Sequence, residues 1–460
     1  MLKLHTNMNP GVSLLCILVC IILVSCDRVY VHPFNLFAYN ESCKGLEDKD
    51  RLLKTFVPIP IESPITPAYE ESIRNKSEKE SKILGVDYLK DSAYVLGARI
   101  YRELVEMHTG ENILLSPTSI YQSLLIFYLG ASGHTASELQ SLLGFDLPSV
   151  SQNCTSKIDG HKVLPVLRTI SNPSEVDELL FSKLFCLFSA PNVHLSESFV
   201  HELAFADINF YIRAVDFTNP TRAEEQINAF VKSKNTHTSK TLLRGIDPAT
   251  NLLFAASTQF KAIVKGASLL NEPQEFWTDS ETKISVPMMR VTGNFEHKFD
   301  SNLNLSVLKI AVSKSVFLLL LQPISNLTSA EEQYSLQPSY LWLQKLSLRR
   351  INLTLPKLFF ESVYNLQDSL NKMNLSELLG KSANFSMMSD VNLNVQKIIH
   401  QQLFELHPGE ADQAENSTEQ NEVIETLSIT LNKPFLLAVH EKESSTLLYF
   451  GRVINPLQGA

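Results

Sequence analysis

The most chemically specific part of this chain is residues 27–37, DRVYVHPFNLF, close to its N-terminus. Pro33 and the β-branched Val29 and Val31 favour an extended backbone. A protease cleft binds such a segment much as a sheet binds an added strand. The Leu36–Phe37 bond joins two large apolar side chains, with Phe34 upstream of it, and this suits an aspartic protease. Leu36–Phe37 is therefore the bond of this segment that such a cleft would cut.

Cleavage there would release residues 27–36, which end in the dipeptide Asn35–Leu36. A dipeptidyl carboxypeptidase can remove this dipeptide by cutting after Phe34. Removing a further dipeptide would mean cutting His32–Pro33, an imide bond that most peptidases handle poorly. Trimming is therefore expected to stop at Phe34.

The octapeptide 27–34 that remains carries charged and aromatic groups together. Its side chains, and a Phe34 carboxylate that only processing creates, would give a receptor ionic and aromatic anchors. The anchors are Asp27, Arg28, Tyr30, His32 and Phe34. Taken singly, these side chains are ordinary for an exposed tail. Only the complete string points to a hormone.

Elsewhere the chain offers few candidates for catalysis or metal binding. His161, His237 and His440 invite a search, but the sequence contains no HExxH, CxxC or GxSxG motif. These histidines are expected to be solvated or packed. No enzymatic activity, cofactor or metal is predicted.

The first residues form a targeting segment. Lys3 and His5 precede the apolar run 11–24, which is short for a bilayer-spanning helix of about 20 residues but suits a signal peptide. The small residues ending at Cys26 predict signal cleavage between Cys26 and Asp27. A bacterial lipoprotein signal, in which Cys26 is retained and lipidated, is the alternative.

Glycosylation sequons favour the eukaryotic secretory alternative. Nine Asn-X-Ser/Thr sequons occur, at Asn40, Asn75, Asn153, Asn304, Asn326, Asn352, Asn374, Asn384 and Asn416. All except Asn352 are predicted sites, because Asn352 lies in a strand-like run where burial would block the transferase. The mature chain is therefore expected to be secreted and extracellular, with no membrane association once the signal is removed.

Three cysteines follow the signal, so at most one internal disulfide forms in an oxidising compartment. Cys186 lies in the apolar stretch LLFSKLFCLF and is expected to be a buried, inert thiol. That leaves Cys43 to pair with Cys154. Since Cys43 lies close beyond Leu36, this tether is expected to change how the scissile bond meets its protease; equal cleavage of the oxidised form and Cys43→Ser would contradict this.

Composition and pattern describe the rest of the chain. With 44% hydrophobic residues and a net charge of −9, the chain is globular and a poor partner for nucleic acid. The predicted organisation is a signal peptide at 1–26, the peptide at 27–36, an N-terminal tail at 37–90 and a folded body at 91–460. From Lys44 to about Lys90 the tail is expected to be mostly irregular and exposed.

Within the body, helical and strand patterns mix without regular alternation, which predicts an α+β fold. A helix from Pro117 to Leu129, capped by Ser116, is apolar on nearly every face and must be central. A second helix, Thr135 to Leu143, should begin with a capping residue. Strand-like runs follow. One of them spans 252–264, and the last, 434–453, predicts a hairpin buried on both faces.

The body resembles the serpin family over residues 91–456. Six motifs occur in family order: NILLSPTSI with LGASGHTASEL, INAFVKSKNT, TQFKAIV, VPMM, LPKLFFESVYNLQDSL and KPFLLAVHEKESSTLLYFGRVINP. The resemblance implies three β-sheets, about nine helices and an exposed loop near the C-terminus, of the kind that carries the reactive centre. It also suggests protease inhibition.

The loop itself argues against inhibition. An inhibitory serpin inserts the cleaved loop's N-terminal hinge into the main sheet as a strand. Pro408 cannot donate to a central ladder, and Asp412 and Glu415 would bury charge. Residues 410–425 hold six acidic side chains and no basic one. A non-inhibitory body is therefore predicted, with an inhibitory serpin carrying an incidental tail as the alternative. No motif speaks for or against a small-molecule carrier.

Residues 27–34 are identical to the octapeptide of the angiotensin hormones, and Asn35–Leu36 completes a decapeptide of angiotensin I type. This resemblance implies three partners: renin for the Leu36–Phe37 bond, angiotensin-converting enzyme for the dipeptide, and the cell-surface angiotensin receptor for the octapeptide. It also implies a role in raising blood pressure and controlling salt balance.

Overall fold

The computed structural model describes residues 36–38, 55–63, 85–145, 157–171, 179–205, 209–235, 240–324, 327–336, 342–375, 380–409 and 426–458. Several predictions fall outside these ranges: the signal segment, residues 27–35, Cys43, Cys154, His237, Asn40, Asn75, Asn153, Asn326 and Asn416.

The described residues form eight helices and nineteen strands. The helices are α1 Val86–Met107, α2 Pro117–Gly130, α3 Gly133–Leu142, α4 Gly160–Ser171, α5 Glu197–Phe205, α6 Pro220–Lys234, α7 Leu327–Leu336 and α8 Leu366–Lys372. The strands are β1 Thr55–Phe56, β2 Ile59–Pro60, β3 Ile113–Leu115, β4 Leu179–Ser189, β5 Leu195–Ser196, β6 Phe210–Ala214, β7 Leu252–Val264, β8 Ser268–Leu269, β9 Gln274–Trp277, β10 Lys283–Val286, β11 Met288–Asp300, β12 Leu305–Ala311, β13 Val316–Pro323, β14 Ser347–Pro356, β15 Leu358–Asn365, β16 Val395–Pro408, β17 Leu427–Thr430, β18 Phe435–Glu441 and β19 Leu447–Val453.

Two large sheets dominate the fold. A nine-stranded sheet has the order β17-β14-β11-β12-β13-β18-β19-β3, with β8 also paired to β11, and a six-stranded sheet has the order β15-β16-β7-β4-β6-β2. Two further sheets, β1-β5 and β9-β10, have two strands each. The mixture of sheets and helices confirms the predicted α+β class.

Helix α2 is central, as its apolar sequence predicted. Every residue from Pro117 to Gly130 is buried, and the Ser116 hydroxyl accepts a hydrogen bond from the Ser119 N–H at 3.4 Å. One hydrophobic core surrounds this helix, a second fills the space between the two large sheets, and a third lies between the six-stranded sheet and α6. The buried hairpin β18–β19 is confirmed, since every residue of both strands is buried.

Local details differ from the sequence predictions in three places. α1 begins at Val86, so helical structure starts before residue 91. α3 begins at Gly133, and Thr135 accepts a hydrogen bond from the Asn384 N–H instead of capping the helix. Residues 55–63, expected to be irregular, hold strands β1 and β2, because the exposed edges of β5 and β6 offer them partners.

Candidate processing site

The residues on the C-terminal side of the predicted scissile bond are docked on the body. Phe37 is only 2% exposed and belongs to the core around α2. Its ring meets Phe145 edge to face at a centroid distance of 6.2 Å, and Tyr88 of α1 lies 5.8 Å from the same Phe145 ring. Gly85, Tyr88 and Phe145 are called the Phe37 pocket below.

Gly85 makes this pocket possible. It precedes α1 with φ of 94°, a left-handed conformation that L residues with a side chain adopt at a cost. A Cβ at this position would lie 2.3 Å from Cζ of Phe37. Glycine is therefore required twice over, by the backbone turn and by the close approach of the Phe37 ring.

The start of α4 holds the backbone on the same side of the bond. The Asp159 N–H donates to the Phe37 carbonyl at 2.8 Å, and Lys162 Nζ donates to the Ala38 carbonyl at 2.7 Å. Ala38 also forms an isolated antiparallel bridge with Ile158. One side chain and two carbonyls downstream of Leu36 are thus engaged by the body.

The backbone at the bond is helical. Leu36 and Phe37 both have helical geometry, and Leu36 is partly buried against the core around α2. The sequence argument for an extended segment rests on Val29, Val31 and Pro33, which lie outside the described residues. At the bond itself, packing of Phe37 has overridden that preference.

The tail is anchored a second time by residues 55–63. β1 pairs with β5 and β2 pairs in parallel with β6. Ile61 is buried beside α6, and its N–H donates to the Ala214 carbonyl at 3.0 Å. Glu62 accepts hydrogen bonds from Arg222 at 3.4 Å and from Gln226 at 2.5 Å.

The sequence did not predict the Phe37 pocket or the hydrogen bonds from Asp159 and Lys162. Gly85, Phe145, Asp159 and Lys162 come from separate segments, and no spacing or motif in a single sequence indicates that they meet Phe37. The unusual glycine before an amphipathic helix was the one local signal.

The two candidate histidines and the cysteine that lie in the described part of the chain are packed or solvated, and His237 lies outside it. His161 is exposed, and its ring lies 5.8 Å from that of His201. His440 is fully buried, which lowers its pKa to about 4, and stacks on Phe317. Cys186 is a buried free thiol whose pKa is raised by burial. Among the described residues no group of three metal-binding side chains converges.

The described sequons differ in exposure. Asn304, Asn374 and Asn384 are exposed. Asn352 lies within β14, partly buried, and its Oδ1 accepts a hydrogen bond from the Thr292 hydroxyl at 3.4 Å.

Two central strands of the six-stranded sheet pair directly, so no further strand lies between them. β7 and β16 pair directly and in parallel, from Leu252 opposite Val395 to Val264 opposite Pro408. We call this pairing the β7–β16 seam. Pro408 is the last residue of β16, and residues 410–425 lie outside the described part of the chain.

No helix in the described ranges is long and apolar enough to cross a bilayer.

Comparison with known proteins places these features in a family. The model of the serpin family, described as serine protease inhibitor, matches residues 91–456. Angiotensinogen of Bos taurus is 39% identical over 473 residues, covering 98% of each chain, and angiotensinogen of Homo sapiens is 36% identical over 480 residues, covering 98% of this chain and 99% of its own.

Solved structures share the fold at lower identity. Human thyroxine-binding globulin in complex with its ligand superposes with a TM-score of 0.70 at 22% identity, covering 81% of this chain and 99% of the globulin. Uncleaved ovalbumin gives a TM-score of 0.66 at 20% identity, covering 80% of this chain and all of ovalbumin, 100%. At these identities the likeness concerns the fold alone.

Proposed function

Because the chain belongs to the serpin family and, within it, to the angiotensinogens, we propose that it is a secreted hormone precursor from which renin-type cleavage at Leu36–Phe37 releases residues 27–36. The observation that carries this proposal is the string 27–34, identical to the angiotensin octapeptide and followed by a bond of the required type. The chain is a substrate and not an enzyme, in keeping with its family.

In this proposal the released decapeptide loses Asn35–Leu36 to angiotensin-converting enzyme, and the octapeptide acts on the cell-surface angiotensin receptor to raise blood pressure and control salt balance. The imide bond at His32–Pro33 ends the trimming. The precursor is silent at that receptor because the Phe34 carboxylate does not exist before processing.

The docking of Phe37 bears directly on the cleavage step. A protease cleft that binds its substrate as an added strand contacts the side chain and carbonyl of Phe37 and the carbonyl of Ala38. The body holds all three groups. Burying a Phe side chain is worth roughly 1.5–3 kcal/mol, and a typical hydrogen bond about 0.5–1.5 kcal/mol. Cleavage therefore requires the segment to leave the body first or in exchange for contacts with the protease.

The decisive experiment is digestion of the secreted protein with renin, followed by mass measurement of the released peptide. The expected product is residues 27–36, and a second digestion with the converting enzyme should give residues 27–34. Leu36→Pro should abolish release, because Pro has no backbone N–H to donate to the protease when the segment binds as an added strand. Cleavage elsewhere, or none in the unaltered chain, would contradict the proposal.

The body is proposed to be non-inhibitory. Support comes from Pro408 at the end of β16 and from the six acidic residues of 410–425. The family description keeps inhibition as the second candidate. Incubation with serine proteases separates the two: we expect loop cleavage with no SDS-stable complex and no gain in thermal stability. A covalent complex would establish the inhibitor instead.

A further inference from the structure

A chain of hydrogen bonds crosses the outer face of the six-stranded sheet beneath α6. The Ser257 hydroxyl of β7 donates to Gln401 Oε1 of β16 at 3.0 Å, and Gln401 Nε2 donates to Glu361 Oε1 of β15 at 2.9 Å. Both carboxylate oxygens of Glu361 accept from the Lys240 N–H at 3.0 Å. The chain therefore joins three adjacent strands to the segment that follows α6.

The middle of this chain is a buried charge. Ser257, Gln401 and Glu361 are each 1% exposed. A buried carboxylate that loses its hydrogen-bond donors costs far more than one in water, because the low dielectric leaves its charge unsolvated. Lys240 adds a second tie, since its Nζ donates to the Glu361 carbonyl at 2.5 Å. Moving Gln401 or residue 240 would therefore take hydrogen-bond donors away from a buried carboxylate.

On the inner face of the same seam, buried polar side chains lack hydrogen-bond partners within the described structure. His400 and Gln402 of β16 are fully or almost fully buried, and within the described structure none of their polar side-chain atoms has a hydrogen-bond partner. They lie opposite Ala256 and Thr258 of β7. Unpaired buried polar groups disfavour the closed seam, because separating the strands would let them bind water.

On the outer face, apolar packing is incomplete next to Gln401. A cleft of about 210 Å³ lies between α6, the segment at 240–242 and the sheet, with Gln401 among its lining residues. Val231 and Leu242 line its walls, and Lys232 and Lys240 contribute two cations to its lining. At this level of the sheet the polar chain, and not a filled core, covers the seam.

We propose that Glu361 is a conformational latch: by binding the Lys240 N–H on one side and Gln401 on the other, it fastens the segment after α6 across β15, β16 and β7 and holds the β7–β16 seam closed. The latch offsets the unpaired polar groups on the inner face. It gives this chain a means of keeping its sheet shut that is separate from the composition of the loop at 410–425.

The test is native-state hydrogen exchange on the full-length secreted protein and on Glu361→Gln. The glutamine side chain keeps the shape of glutamate but replaces one accepting carboxylate oxygen with an NH₂ group. At least one donor, the Lys240 N–H or Gln401 Nε2, then faces this NH₂ group. Amides that bridge β7 and β16 should then exchange at least about tenfold faster, the scale expected when a charge-assisted hydrogen bond is lost. Amides of β12, β13 and β18 should keep their rates.

Glu331→Gln is the matched control. Glu331 is also buried and accepts hydrogen bonds from Tyr101 at 2.6 Å and Arg452 at 3.4 Å, but it lies on α7, away from the seam. It should lower stability without selective exchange at β7–β16. Ser257→Ala, a milder change that removes only the far end of the chain, should accelerate the same amides by a smaller factor.

Unchanged exchange at β7–β16 in both Glu361→Gln and Ser257→Ala would overturn the latch. Acceleration spread evenly over both large sheets would overturn it as well, since it would show that Glu361 contributes only to global stability. If Glu361→Gln does not fold, Ser257→Ala alone decides between these outcomes.

Discussion

The Phe37 pocket and the β7–β16 seam are both closed in the structure, but different interactions close them. The pocket is held by one aromatic side chain and two hydrogen bonds to backbone carbonyls, on a segment that belongs to the tail. The seam is held by parallel strand pairing from Val395 to Pro408, with one register shift between Val395 and Ile398. A segment held by few contacts opens at low free energy, whereas a central strand held by many backbone hydrogen bonds opens at a higher free energy. The comparison indicates that the segment at Phe37 detaches from the body more readily than the β7–β16 seam opens.

The largest predicted effect concerns His400, which lies in the seam. It tests whether the seam makes the free energy of unfolding depend on acid pH. Burial lowers the pKa of His400 to about 3, against an ordinary value of 6.5. The unfolded chain therefore binds one more proton than the folded chain between these values, and stability falls as pH drops through this window. Because the group is fully buried, His400 should contribute a loss of about 1.4 kcal/mol per pH unit between pH 6 and 4.

His400→Leu should remove this contribution. Between pH 6 and 4 the free energy of unfolding should therefore fall less in the variant than in the parent, and the two falls should differ by about 2–3 kcal/mol. Denaturant unfolding at several pH values measures the difference. His134→Gln, at an exposed position on α3, should retain the parent's pH dependence. Equal slopes for His400→Leu and the parent would show that the seam does not carry this acid sensitivity.

The second prediction weakens the pocket without altering the scissile segment. Gly85→Ala should destabilise docking by at least roughly 1–2 kcal/mol, because the left-handed backbone is strained and the new methyl group meets the Phe37 ring. If undocking precedes cleavage, kcat/KM for renin should rise roughly five- to thirtyfold.

Gly110→Ala is the matched control for that experiment. Gly110 also has a positive φ, of 76°, but nothing lies within 4 Å of its added Cβ. It should strain the end of α1 without changing the cleavage rate. A synthetic peptide spanning residues 27–40 calibrates the protease on an undocked substrate. A Gly85→Ala protein cleaved no faster than Gly110→Ala would show that the pocket does not limit processing.

These two regions also differ in how far the sequence predicts them. β7 was expected at 252–264 and occurs there, and α2 was expected from Pro117, because a continuous apolar run and a capping Ser-Pro pair encode them locally. The string 27–37 likewise predicts the bond. Neither the burial of Phe37 nor its helical backbone was predicted, since both depend on residues 85, 145 and 159, which folding alone brings together.

The latch residues illustrate the same limit. Glu361 and Gln401 lie in strand-like runs where a polar side chain is normally assigned to the solvent face of a half-buried strand. Their burial follows from α6 and the segment after it, which cover this face of the sheet. Pattern reasoning predicts the strand but not whether its second face is covered.

The smallest predicted effect tests the backbone part of the Phe37 docking. Lys162→Met removes the donor to the Ala38 carbonyl and leaves the Asp159 N–H and the pocket in place. A single hydrogen bond at a partly exposed site should raise kcat/KM for renin roughly twofold to tenfold. Lys162→Arg, which retains a cationic donor, should fall between the parent and Lys162→Met. If both variants match the parent while Gly85→Ala is faster, the Lys162 hydrogen bond to Ala38 does not hold the segment, and ring burial with the Asp159 N–H is sufficient.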